Sequence, residues 1–547
     1  MIQVRSPILR EGAPCLAVSA FCPWVRICLA IALCVELAAC GGSTSGGGGA
    51  TPPPEPPPAT ESLTQADVQM LVQAAATTAQ SNAMAIAVVD RLGRILAVYE
   101  QPGAPASLPG NFGAPVPPDE LAVSLARTGA FFSNDQAPLS SRTVRFISGV
   151  HFPPGVMNTG SAALYGIENT NRGCNLAASL SATVPPATTI AGASPGFGIT
   201  TGKADINDTV PTAVNPGGVP IFKNGQEVGG IGVALADGNV AEYVAFAAAG
   251  MVAMGGPSAS TDGVGFPAFP APGIVTIAGI TLPFVNQTTP PSGVTPGTFN
   301  AAFFTKGPVA SPGVPPEGDL IPTTNGPLGG LTAADVAQII SNAVATANQT
   351  RAQIRLPIGE RAKMVIAVSD LDGTLIGLHR MTDSTIFSID VAATKARNVI
   401  YFSGATRQAA DLNDVPMGTA VTNRTIGFGA QPFFPSGIDG TQPGPFFNNL
   451  YTMDVAHPCT QGLQVPSSAW PMANQSGIVF FPGSEPLYKN GVLVGGLGVS
   501  GDGVDQDDFV TAGGAAGFEP VASIRADQIV INGVRLPYLK FPRNPTD

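Results

Sequence analysis

Two stretches decide the fold: "MVIAVSDLDGTLIGLHR", residues Met364–Arg380, and "MAIAVVDRLGRILAVYE", residues Met84–Glu100. Each runs β-rich, turns at Asp-x-x-Gly, and runs β-rich again, which is the pattern of a hairpin. Gly93 and Gly373 are expected to supply a positive φ at the turn. The neighbourhoods match as well. "LTQADVQMLVQAAATTA" from Leu63 and "LTAADVAQIISNAVATA" from Leu331 each pair a capping Thr with an acid three residues on, then continue with helical apolar spacing. "DELAVSLARTGAFFS" (Asp119–Ser133) and "IDVAATKARNVIYFS" (Ile389–Ser403) predict a second helix, with Arg127 and Arg397 in register. "KNGQEVGGIGVALADG" and "KNGVLVGGLGVSGDG" predict a second hairpin turning at Asn-Gly, before a third helix and a last strand pair.

Helix, hairpin, helix, hairpin, helix predicts an α+β fold: an antiparallel sheet with helices packed against it, encoded twice. The boundaries are 63–285 for the first copy, 286–330 for a Pro/Gly-rich linker and 331–547 for the second copy. Tandem copies are expected to dock as an internal pseudo-dimer.

Composition narrows the function. The chain of 547 residues carries only 12% charged residues, a net charge of −11 and no basic stripe, which argues against a nucleic-acid partner. "DLDGT" resembles the nucleophile loop of haloacid dehalogenase-like phosphatases, which implies Asp370 as nucleophile, Asp372 as general acid, and Asp502 and Asp507 for Mg²⁺. The repeat counts against that reading. In the first copy the turn persists as Asp90-Arg91-Leu92-Gly93, without the second acid or the Thr. The Gly-Gly-x-Gly runs lack the Lys-Ser/Thr ending of a phosphate loop and fall inside a strand, where close helix packing explains them.

"SIDVAATKAR" and "KNGVLVGGLGVSGDGVDQDDFVTAGGAA", together with the hairpin, resemble the GlcG/HbpS-like haem-binding family, also called the haem-degrading domain. The resemblance covers most of both copies but not the long loops after Phe152 and Phe434. The first copy departs from it at Ala234-Leu235 and at Leu125, where the second has Lys395. The resemblance implies profilin-like α/β layered domains, oligomers built from paired units, and haem or a related tetrapyrrole as ligand. Of His151, His379 and His457, the one that matters here is His379. Tyr99 aligns with it, and both side-chain types ligate haem iron. Arg127, Arg397 and Lys395 complete the ligand-binding candidates, the arginines as partners of propionates.

The N-terminus is expected to be a targeting segment. Arg5, Arg10 and Arg26 precede the apolar run 27–35, and Leu37-Ala38-Ala39-Cys40 follows. This resembles a bacterial lipoprotein signal, with 1–39 removed, Cys40 acylated and 40–62 forming a Gly/Pro-rich tether. The membrane partner would be reached through that lipid, with outer-membrane sorting implied by Gly41. Beyond Cys40 only Cys174 and Cys459 remain. They cannot form a zinc site, and read as buried thiols or as one bridge between the copies. The expected function is an exported tetrapyrrole-binding protein. The alternatives are a ligand-free surface scaffold and a redox or haem-degrading enzyme.

Overall fold

The computed structural model describes residues 58–110, 115–170, 174, 176, 216–250, 275–457, 459–463 and 474–546. The signal segment, Cys40 and most of the tether lie outside the described residues.

In the first half, α1 (Gln65–Thr78) starts at the capping box of Thr64 and Asp67. The hairpin β1 (Ala85–Asp90) and β2 (Ile95–Glu100) follows, then α2 (Pro118–Phe132). The second hairpin is β3 (Gly218–Lys223) and β4 (Gln226–Ala234), and α3 (Gly238–Ala248) is capped by Asp237. The stretch 286–330, expected as a linker, supplies an edge strand to each sheet: β5 (Phe304–Lys306) and β6 (Gly318–Ile321). Its Pro/Gly composition hides these short Pro-free runs, and edge positions are where short strands survive. The second half repeats the order. α4 (Ala333–Ala347) opens on the Thr332–Asp335 capping box, followed by β7 (Met364–Ser369), β8 (Leu375–Arg380) and α5 (Phe387–Ser403). Then come β9 (Ser484–Lys489), β10 (Val492–Gly501) and α6 (Val504–Gly514).

The fold is α+β. One five-stranded sheet runs β5-β2-β1-β4-β3 and the other β6-β8-β7-β10-β9, every neighbour antiparallel. The expected terminal strand pairs form as separate two-residue hairpins, at 276–281 and 530–535.

Both faces of each sheet are buried, so the strands read as near-continuous apolar runs rather than alternating ones. Ile86 and Val88 face a core shared with α1 and α3, while Ala85, Ala87 and Val89 face α2. In the second half Ile366 and Val368 pack with α4 and α6, and Val365 and Ala367 with α5. The α2-side and α5-side clusters merge into one core that spans both halves.

The Gly-Gly-x-Gly runs are where helix backbone lies on strand. A Cβ on Gly232 would sit 1.9 Å from the Ala122 carbonyl oxygen, and one on Gly498 would sit 2.1 Å from that of Ala392. No side chain fits there.

The Asp-x-x-Gly turns share a backbone, with the glycine amide donating to the aspartate carbonyl in each, but differ in what the aspartate side chain holds. Gly93 has φ +75° and Gly373 φ +80°. Asp90 Oδ1 accepts from the amides of Leu92 (3.0 Å) and Arg94 (2.9 Å). Asp370 accepts from the amides of Leu371 (2.9 Å), Leu328 (3.0 Å) and Gly329 (2.7 Å).

Among the described residues the halves touch in two zones. In one, Arg91 of the first turn meets Asp383, and Phe132 stacks on Phe387 at 4.3 Å between ring centres. In the other, the two long loops meet. Cys174 and Cys459 are disulfide-bonded, Tyr165 stacks on Tyr451, and Asn158 and Asp439 exchange hydrogen bonds.

Candidate ligand site

His379 sits on β8 directly opposite Asp319 of β6. Its Nδ1 is 2.7 Å from Asp319 Oδ1, and the ring is about a quarter exposed. A carboxylate on one imidazole nitrogen fixes the ring and raises the basicity of the other nitrogen, the arrangement found behind metal-ligating histidines. Asp319 was not foreseen, because it lies in the stretch read as linker. The only sequence signal for it is the short run "GDLI" that pairs as β6.

Tyr99 occupies the matching place in the first half, opposite Phe304 of β5. It is fully buried among Phe299, Phe303 and Phe304, and its hydroxyl accepts from the Asn300 amide at 3.3 Å. Iron could reach Tyr99 only by displacing that aromatic segment, so the two aligned positions offer different chemistry.

Arg127 and Arg397 do the same job in each half. Arg127 Nε donates to the Gly93 carbonyl at 2.9 Å and Arg397 Nε to that of Gly373 at 2.8 Å, tying the helix to the turn. Arg397 also donates to Ser476 Oγ (3.1 Å) and to the carbonyl of Leu176 in the other half. Burial lowers the pKa of both guanidiniums to about 10. They lie at the turn end of the sheets, while His379 is near the far end of its strand, so these candidates do not converge on one ligand.

Lys395 lies inside the second half. Its Nζ donates to the Val499 carbonyl (2.7 Å) and Asp507 Oδ2 (3.0 Å), and stands 5.0 Å from the centre of the Phe481 ring. Burial pulls the Lys395 pKa down against the pull of Asp507. Burial pushes Asp507 up to about 7, although Lys395 opposes it. Among the described residues Asp507 Oδ1 has no hydrogen-bond partner, and Asp507 borders a cavity of about 40 Å³ between the halves.

The acids of the phosphatase reading are scattered. Ser369 pairs with Gly496 and Met364 with Gly501. Asp370 and Asp502 therefore stand at opposite ends of the strands, about 23 Å apart at roughly 3.3 Å per residue. Asp372 Oδ1 accepts from the Thr374 amide at 2.9 Å, and Asp502 is paired with Arg355 and accepts from the Lys363 amide at 2.7 Å. Among the described residues no cluster of three or more His, Cys, Asp or Glu could hold a metal ion. His151 is buried, with Nδ1 3.2 Å from the Thr159 carbonyl and Nε2 3.2 Å from Asp439. No described helix is long and apolar enough to cross a membrane.

No curated protein matches the chain. Among solved structures, a PduOC–heme complex is 22% identical, covering 34% of this chain and 91% of that one with a TM-score of 0.22. The Klebsiella pneumoniae protein ORFY is 17% identical, covering 34% and 86%, also with a TM-score of 0.22. Residues 331–516, which hold α4 through α6 and include His379 and Lys395, match the family model of the haem degrading protein HbpS-like family.

Proposed function

We propose that this is an exported, lipid-anchored haem-binding protein whose second half carries the haem ligand, His379. The observation that carries the reading is the His379–Asp319 pair, 2.7 Å apart and part-exposed, with His379 inside the segment 331–516 that matches a family model described as haem degrading. Nε2 of His379 would hold the iron, and Asp319 would orient the ring. The bound group would supply a redox-active iron. The protein residues contribute orientation and ligand basicity.

Anchoring rests on the Leu-Ala-Ala-Cys sequence at 37–40. Incorporation of labelled palmitate that disappears in Cys40→Ser tests it. The two halves are read as an internal pseudo-dimer. This is supported by the meeting of the two long loops, Cys174 with Cys459 and Tyr165 with Tyr451.

Haemin titration of the whole chain tests the binding role. A saturable Soret shift at one haem per chain is expected, lost in His379→Ala and weakened in Asp319→Asn. An unchanged shift in His379→Ala overturns the assignment. The family description favours a second reading, haem breakdown. Reductant- or peroxide-dependent bleaching with a released linear tetrapyrrole would establish it.

A further inference from the structure

We infer that the first half holds a separate binding site for a small, neutral, largely apolar molecule, in the cleft where β4 passes into α3. Among the described residues the cleft measures about 430 Å³ and is walled by Leu108, Leu121, Leu125, Val233 and Leu235, with Arg142, Asn239 and Asn286 as its polar groups. Small-molecule sites typically enclose roughly 300–1,000 Å³ behind mostly apolar walls and a few polar groups.

Comparison with the second half shows what this surface takes. Ala234 faces Ala85 across the first sheet as Ser500 faces Val365 across the second. Ala234, Leu235 and Gly238 therefore correspond to Ser500, Gly501 and Val504. In the second half, Phe132, Leu139 and Leu164 of the first half close over that surface and leave about 40 Å³. In the first half no described residue of the second half lines the cleft. The interior differs too: Lys395 and Asp507 are replaced by Leu125 and Ala241, which removes an ion pair.

The occupant follows from the walls. In a second copy of the chain, Phe132 and Leu139 are already buried against its own second half, so these two residues are not free to cover the cleft. The one charged side chain among the described lining residues, Arg142, is held by both oxygens of Glu242, at 2.6 and 3.2 Å. With that charge neutralised, nothing selects an anion. Among the described residues no His, Tyr, Cys or Met lines the cleft, so they offer no iron ligand and the cleft stands apart from the haem reading at His379.

The test is fluorescence titration of the full chain with N-phenyl-1-naphthylamine, a neutral aromatic probe. One saturable site is expected, with affinity at least tenfold weaker in Leu125→Trp, which fills the floor. Leu235→Trp alters only the half-buried rim and keeps the test valid if the floor variant fails to fold. Haemin binding is read in the same samples and stays unchanged, which separates this site from the other. No saturable binding by the parent chain, or binding equal to the parent's in the rim variant and in every folded variant, overturns the proposal.

Discussion

Arg91 and Asp383 stand 2.6 Å apart with both side chains buried, although 292 residues separate them along the chain. Arg91 is the second residue of the Asp-x-x-Gly turn in the first half, where the second half has Leu371. Asp383 precedes α5 and also receives Arg355 NH1 at 2.6 Å. Glu227 Oε2 approaches Arg91 Nε at 2.5 Å. Burial alone would raise the Asp383 carboxyl, but Arg355 and Arg91 hold it below its ordinary value. Glu227 goes well up through burial, and Asp135 is pushed up to about 6 by burial and the charge of Asp383.

Removing one partner of this cluster leaves a buried charge without compensation. Arg91→Leu or Asp383→Asn is expected to cost about 3–5 kcal/mol, and the double variant less than the sum of the two. Urea denaturation of the four proteins measures it, and strict additivity would contradict the pairing.

Close helix–strand contact makes a small substitution costly. Gly498→Ala places a methyl 2.1 Å from the Ala392 carbonyl, so α5 must lift off β10. A loss of about 1–3 kcal/mol or more is expected, where an open strand position would gain from the same change. The thermal midpoint of the folded variant is the measurement.

The disulfide joins residues 285 apart in sequence. Cys174→Ala with Cys459→Ala is expected to lower stability by about 2–5 kcal/mol through the freed unfolded chain. Reductant should shift the denaturation midpoint of the parent and leave that of the double variant unchanged.

Glu485 is buried and pushed up to about 8 by the loss of solvent, despite the Tyr538 hydroxyl 3.1 Å away. The folded chain therefore holds a proton on it that the unfolded chain has released once the pH passes about 4.5. The folded state binds more protons across pH 4.5–8, so this group's contribution to stability falls as pH rises through that window. The limit is about 1.4 kcal/mol per pH unit. Glu485→Gln should remove that slope, leaving the variant relatively more stable at pH 8 than at pH 5. A parallel pH profile for parent and variant would refute the burial argument.

What the sequence determined by itself is local. Capping boxes at Thr64 and Thr332, tight turns at Gly93 and Gly373, and the α+β order of elements follow from spacings of a few residues, which short-range hydrogen bonding and apolar periodicity control. The glycines of the Gly-Gly-x-Gly runs were legible for the same reason, since only a missing side chain admits a helix backbone. Tertiary structure alone decided which side chains meet. Arg127 and Arg397 brace their turns, Tyr99 is enclosed by phenylalanines, and Asp319 arrives beside His379 from a stretch whose composition resembles a linker. It also closed the surface around Ser500 and Val504 with residues of the other half, while the matching surface at Ala234 and Gly238 kept its cleft. Such contacts join residues tens to hundreds of positions apart, and no periodicity along one chain encodes which distant side chain fills a given space.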